Sequence, residues 1–126
     1  MAMIHHSSFE VQNMDTQLLG HYWLQEKGYR NAWGVGRHVL GSQIFDYWFD
    51  ESGFILEHYS DGGMLNSDSA PTREAARKGA LHIWGPNVPI AFLTAQAPER
   101  VVQPPDIVTA EAAKGIAPEF LQEAVL

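Results

Sequence analysis

Four side chains in the first half of the sequence could share one piece of chemistry: His6, His38, Tyr47 and Glu57. Imidazole nitrogen and carboxylate oxygen together suit ferrous iron, manganese or zinc when positions are left open for a reactant. Strand geometry decides which of these groups can meet. Along an extended segment over residues 4–11, His5 and His6 point to opposite faces, so only one of them enters a shared cavity. Along a segment over 54–60, Ile55, Glu57 and Tyr59 share one face, while Leu56 and His58 share the other. If both segments belong to one curved sheet, a histidine from the first and Glu57 from the last converge on its concave side. A carboxylate buried there without a partner is costly, and a metal ion is one natural way to neutralise it. Taken singly, the same residues have plainer readings. A lone His or Glu on a strand is more often a satisfied structural group than a ligand. His38 can be a loop residue after Gly36-Arg37, and Tyr47 can be core. Spacing alone leaves both readings open.

The elements that must position these residues parse cleanly. Residues 4–11 alternate and carry β-capable side chains, which predicts a strand. Asn13 or Asp15 can cap a helix running through Leu18, Leu19, Tyr22 and Trp23, spaced for one apolar face. Gly28 supplies the left-handed stop that such helices use. A second strand is expected over 33–40, loosened by Gly34 and Gly36, and a third, rich in aromatics, over 44–49. Asp50-Glu51-Ser52-Gly53 is turn chemistry, and a fourth strand follows over 54–60. The order is β-α-β-β-β.

The rest of the chain differs in character. All seven prolines lie at or after Pro71. A short helix is expected over 71–78, a rigid turn over 84–89 and a stiff extended spacer at Pro104-Pro105. Helical segments are expected over 109–114 and 118–125, interrupted at Gly115. His82 and Trp84 read as tail packing. The expected fold is therefore α+β, with one βαβββ module over 1–62 followed by an irregular, proline-rich tail with short helices over 63–126.

Composition removes several function classes. At 126 residues the chain is one domain's worth, and 45% hydrophobic content is enough for a core. The absence of cysteine excludes disulfides, zinc–thiolate sites, iron–sulfur clusters and thiol catalysis. A net charge of −7 argues against a general nucleic-acid binder. No apolar run approaches the roughly 20 residues of a membrane span, and no secretory signal opens the sequence. The expected location is cytoplasmic.

The stretch GRHVLGSQIFDYWFDESGFILE, with Gly36, His38, Tyr47, Asp50, Gly53 and Glu57, resembles the signature of type I extradiol ring-cleavage dioxygenases. The opening HHSSFEV is similar to a strand of the same family. Together these cover residues 4–62, about half of the chain. The family lies in the vicinal-oxygen-chelate superfamily with glyoxalase I and bleomycin-resistance proteins, and its unit is a βαβββ module. The WGPNVP turn and the AFL after it resemble the tail that follows the last module in some dihydroxybiphenyl-dioxygenase-like proteins. The resemblance implies Fe(II) as cofactor, with Mn, Zn or Ni as alternatives. It implies His6 and Glu57 as metal ligands, and His38 and Tyr47 as catalytic, substrate-binding groups. Asp46 would line the pocket, and His5 would point toward the helix-covered face. The implied reactants are a catecholic diol and dioxygen.

Departures from the pattern matter. The signature's proline is Glu51 here, and the residue before the tyrosine is Asp46. The family draws a further histidine ligand, and an acid–base histidine, from a preceding module that is not in this sequence. His21, His58 and His82 do not sit at matching positions. The chain is then expected to be incomplete as a dioxygenase, or to pair as a homodimer. Two copies each of His6 and Glu57 resemble the glyoxalase I ligand set, which favours proton transfer over oxygen activation. A non-catalytic module that binds an aromatic ligand without metal is the third reading.

Overall fold

The structure, a computed structural model, describes residues 2–98. The segments expected at 104–105, 109–114 and 118–125 lie outside the described residues. The elements run β1 (His6–Glu10), α1 (Met14–Glu26), β2 (Arg30–His38), β3 (Ile44–Phe49), β4 (Ile55–Ser60), β5 (His82–Trp84) and α2 (Ile90–Thr94). The βαβββ order expected from the sequence is present. The five strands form one sheet in the order β1-β4-β3-β2-β5.

The pairing fixes which residues share a face. β1 runs parallel to β4 with His6 opposite Ile55 and Ser8 opposite Glu57. β3 is antiparallel to β4, with Tyr47 opposite Glu57 and Asp46 opposite His58. β3 is buried along its whole length, so both faces of the sheet are covered at its centre. On the face away from α1, Trp33, Phe45, Tyr47, Phe49, Ile55 and Phe92 form the core cluster.

α1 begins at Asn13, whose side-chain oxygen accepts the Thr16 N–H at 2.9 Å. It is followed by Gly28 at φ 79°, the expected left-handed stop. Its facing, however, corrects the sequence expectation. Leu19, Tyr22 and Trp23 are more than half exposed, and the one fully buried residue of the helix is Gln17. The inward face is polar because the sheet beneath it is polar. The Gln17 amide donates to the carbonyls of Ile44 (3.1 Å) and His58 (2.9 Å) and accepts from Ser60 Oγ at 2.6 Å. An apolar residue at 17 would leave those buried groups without partners.

The second half also departs from expectation. Residues 71–78 form no helix. β5 joins the sheet by pairing antiparallel with β2, placing Arg37 opposite Trp84 and His38 opposite His82. His82 and Trp84 are thus strand residues. After the turn, Pro89 precedes α2, where its missing N–H costs nothing. α2 lays Phe92 into the core cluster against Trp33 and Tyr47. No helix among the described residues is long and apolar enough to cross a membrane.

Candidate metal and diol site

The sheet brings His6, His38, Tyr47 and Glu57 together on the face away from α1. Parallel pairing of β1 with β4 sets Glu57 beside Ser8 and within reach of His6, two residues earlier on the same face. The His6 Nε2 lies 3.7 Å from Glu57 Oε2, and Ser8 Oγ donates to that same oxygen. From β2, His38 Nε2 lies 3.7 Å from Glu57 Oε1 and 2.8 Å from the Tyr47 hydroxyl. Four polar side chains from three other strands thus cluster around one carboxylate.

That carboxylate is only half satisfied. Glu57 is buried, its side chain 3% exposed, and Oε1 has no hydrogen-bond partner. A buried acceptor without a donor is expensive, and among the described residues Glu57 Oε1 and His82 Nδ1 are the buried side-chain atoms left so. Burial by itself lifts the Glu57 carboxyl. The polar side chains of His38, Ser8 and Tyr47 turned toward it outweigh that and hold it below the usual carboxylate range. It is therefore anionic at neutral pH. Burial draws His6 below the ordinary imidazole value, against the pull of Glu57, and His5 and His38 add to the lowering. His6 is therefore neutral at neutral pH, the form that binds metals. Burial pushes the Tyr47 phenol far up, and the Glu57 charge acts in the same direction, so Tyr47 keeps its proton.

Main-chain carbonyls place the protons on the imidazoles. The carbonyl of Leu81 lies 2.7 Å from His38 Nδ1. A carbonyl only accepts, so Nδ1 carries the proton, and Nε2 of the neutral ring accepts from the Tyr47 hydroxyl. His38 is thereby oriented with its Nε2 lone pair on the site side, engaged there by the Tyr47 hydroxyl.

Two expected placements are corrected. Asp46 does not line this site. It alternates with Tyr47 along β3 and so points to the α1 side, where it is fully buried. There it accepts from His21 Nδ1 (3.0 and 3.1 Å), Asn31 Nδ2 (3.0 Å) and Trp48 Nε1 (2.6 Å). Gly34 makes room for it, since a Cβ at that position would lie 2.7 Å from Asp46 Oδ1. His5 does not face the helix-covered side either. It precedes β1, so strand alternation does not govern it, and its ring meets those of His6 and Phe92.

Sequence reasoning did not single out Ser8 or Phe92. Ser8 had a signal, because it lies two residues beyond His6 on the same strand face. Phe92 had only the proline-then-apolar run at 89–93. Among the described residues, no group of three or more His, Asp or Glu side chains is close enough to hold a metal ion. The residues fit one as partial ligands only: a carboxylate with an orphaned oxygen and an imidazole are donors that could fill part of a metal's coordination. A cavity of about 650 Å³, lined in part by Trp23, Lys27, Tyr29 and Arg30, lies apart from this cluster.

The strand order and the helix placement, with the likeness that follows, make this an extradiol dioxygenase-like module of the vicinal-oxygen-chelate superfamily. Among known proteins, the chain is 34% identical over 90 residues to metapyrocatechase 2 of Cupriavidus necator, covering 71% of this chain. The chain spans 28% of that relative's length. The Mn(II)-bound glyoxalase of Novosphingobium aromaticivorans superposes with a TM-score of 0.62 at 25% identity, over 86% of this chain and 35% of that one. The 2,3-dioxygenase LapB of Pseudomonas sp. KL28 superposes with a TM-score of 0.52 at 24% identity, over 54% and 24% respectively. No family model matches the chain.

Proposed function

We propose that this module forms one side of an extradiol ring-cleaving site, holding Fe(II) through His6 and Glu57 and taking a catecholic diol with dioxygen as reactants. The observation that carries the reading is the buried, anionic Glu57 whose Oε1 has no partner beside neutral His6. The likeness to metapyrocatechase 2 supports the same chemistry.

When bound, Fe(II) brings diol and dioxygen onto one centre and lets electron density pass between them. The chain's own residues do the rest. The Leu81 carbonyl sets the neutral His38 ring with its lone pair on Nε2, the atom available to take a proton from a diol hydroxyl in exchange for the hydrogen bond it accepts from Tyr47. The Tyr47 hydroxyl, 2.8 Å away, keeps its proton and donates it as a hydrogen bond. Phe92, Trp33 and Phe45 give the adjoining apolar surface against which an aromatic ring packs. The remaining ligand comes from a second module, supplied by a companion segment or by a second copy of this chain. In this reading the protein works in the cytoplasm.

The test is native mass spectrometry of anaerobic protein with Fe(II), followed by oxygen uptake with catechol. Fe(II) bound in a two-module assembly, and lost in Glu57→Ala while circular dichroism is unchanged, supports the reading. Unchanged metal affinity in Glu57→Ala overturns it. Manganese binding without oxygen uptake would move the assignment to proton-transfer chemistry.

A further inference from the structure

A second residue beside the site has no role in the reading above, and its hydrogen bonds are unusually informative. His5 Nε2 lies 2.7 Å from the carbonyl of Phe92, and His5 Nδ1 lies 2.9 Å from His6 Nδ1. The carbonyl oxygen can only accept, so His5 Nε2 must carry a proton. In the neutral ring His5 Nδ1 is then an acceptor. The hydrogen shared between the two Nδ1 atoms must therefore belong to His6. With its proton on Nδ1, His6 is left with a free lone pair on Nε2, the nitrogen that faces Glu57 at 3.7 Å.

We propose that His5 is a positioning residue that relays the Phe92 carbonyl to His6 and fixes His6 in the tautomer whose Nε2 lone pair points into the metal site. This rests on the metal reading above for its purpose, but not for its geometry. The ring stacking is consistent with a held arrangement: His5 packs edge-on against both His6 (5.2 Å) and Phe92 (4.9 Å). Partners that set a ligand's tautomer and orientation are worth about ten- to a hundredfold in metal affinity. The relay also gives α2 a task. Its backbone carbonyl at Phe92 sets His6 through His5, much as the Leu81 carbonyl sets His38 directly. Two carbonyls from the second half of the chain thus place the protons on both site histidines.

The test reads the tautomers in the metal-free chain. Protein labelled with ¹⁵N-histidine is studied by long-range ¹H–¹⁵N correlation at a pH of about 8, above the ordinary imidazole pKa of about 6.5. The relay requires the proton on Nε2 of His5 and on Nδ1 of His6. In His5→Phe the His6 preference for Nδ1–H is lost. In His5→Asn, whose side-chain oxygen takes the place of Nδ1, it returns. Wild-type His6 protonated on Nε2, or a His6 tautomer that His5→Phe does not change, overturns the proposal. Should His5→Phe fail to fold, the wild-type spectrum alone still decides. Mn(II) titration of the same samples tests the purpose, with affinity expected to fall about tenfold or more in His5→Phe and to recover in His5→Asn. A correct tautomer with no Mn(II) binding, in protein that native mass spectrometry shows assembled in pairs, overturns the metal reading and leaves the relay standing. Mn(II) binding with the wrong tautomer does the reverse.

Discussion

Two buried carboxylates lie on neighbouring strands of this sheet, and each meets a histidine. Asp46 on β3 faces α1, and Glu57 on β4 faces the other way. Asp46 accepts from three side chains and both of its oxygens are used. Glu57 has one oxygen held by Ser8 and one buried with no partner. The sheet isolates them, so identical chemistry is completed on one face and left open on the other. Asp46 anchors α1 to the sheet through His21, together with the Gln17 tether a turn earlier. Glu57 leaves coordination capacity that the fold does not consume. Burial and a histidine partner therefore do not distinguish the two carboxylates; the unfilled acceptor on Glu57 does.

The sharpest way to break this comparison is to remove each carboxylate. Asp46→Ala leaves the His21, Asn31 and Trp48 donors facing a cavity, and breaking such a buried pair costs about 3–5 kcal/mol. Urea unfolding should show that loss. Glu57→Gln removes a charge whose surroundings were incomplete, so stability should change by about 1 kcal/mol or less, while Fe(II) or Mn(II) binding is lost. Equal destabilisation by the two changes would erase the distinction between the faces.

The histidines sharpen the same contrast by a smaller margin. His21→Ala should cost about 1–3 kcal/mol through the unsatisfied Asp46 and leave metal affinity alone. His6→Ala should do the opposite, since its ring is about a third exposed and makes no deep anchor. Calorimetric metal titration beside urea unfolding reads both. A His21→Ala variant that loses metal would mean that the helix face feeds the site.

Much of this arrangement was legible in the sequence, and the failures have physical causes. The alternation of Leu56, Glu57 and His58 was enough to place Glu57 on the concave face, and Tyr47 came from the resemblance. His6 and His38 followed from the motif that joins them to Glu57. The same alternation rule, applied to β3, would have sent Asp46 to the opposite face from Tyr47, and the resemblance drew it into the pocket instead. His5 was misplaced because alternation holds only inside a strand, and β1 begins one residue later. α1 misled because periodicity reports where apolar residues lie, not where the sheet needs hydrogen bonds. Gln17 faces inward because Ile44, His58 and Ser60 offer it partners. β5 and α2 are only three and five residues long, too short for a periodic signal, and they form because β2 offers an edge and the aromatic face needs cover.

The smallest expected effect is also the most discriminating, because the two faces respond to acid with opposite sign. His6 has a folded pKa below its ordinary 6.5, so it contributes stability above that value, lost as pH falls from there through the folded pKa. Glu57 behaves likewise lower down: its contribution is present above 4.5 and is lost as pH falls through its depressed folded value. Burial lifts Asp46 above 3.8, with its donors Trp48, His21 and Asn31 pulling the other way. Its contribution is therefore fully present below 3.8 and is lost as pH rises through the raised value. In urea titrations of the metal-free chain from neutral to acid pH, Glu57→Gln should flatten the loss of stability below 4.5. Asp46→Asn should steepen it, because the group that favours folding in acid is gone. If both variants flatten the profile, Asp46 is held as a depressed carboxylate like Glu57, and the two faces differ only in how many donors they supply.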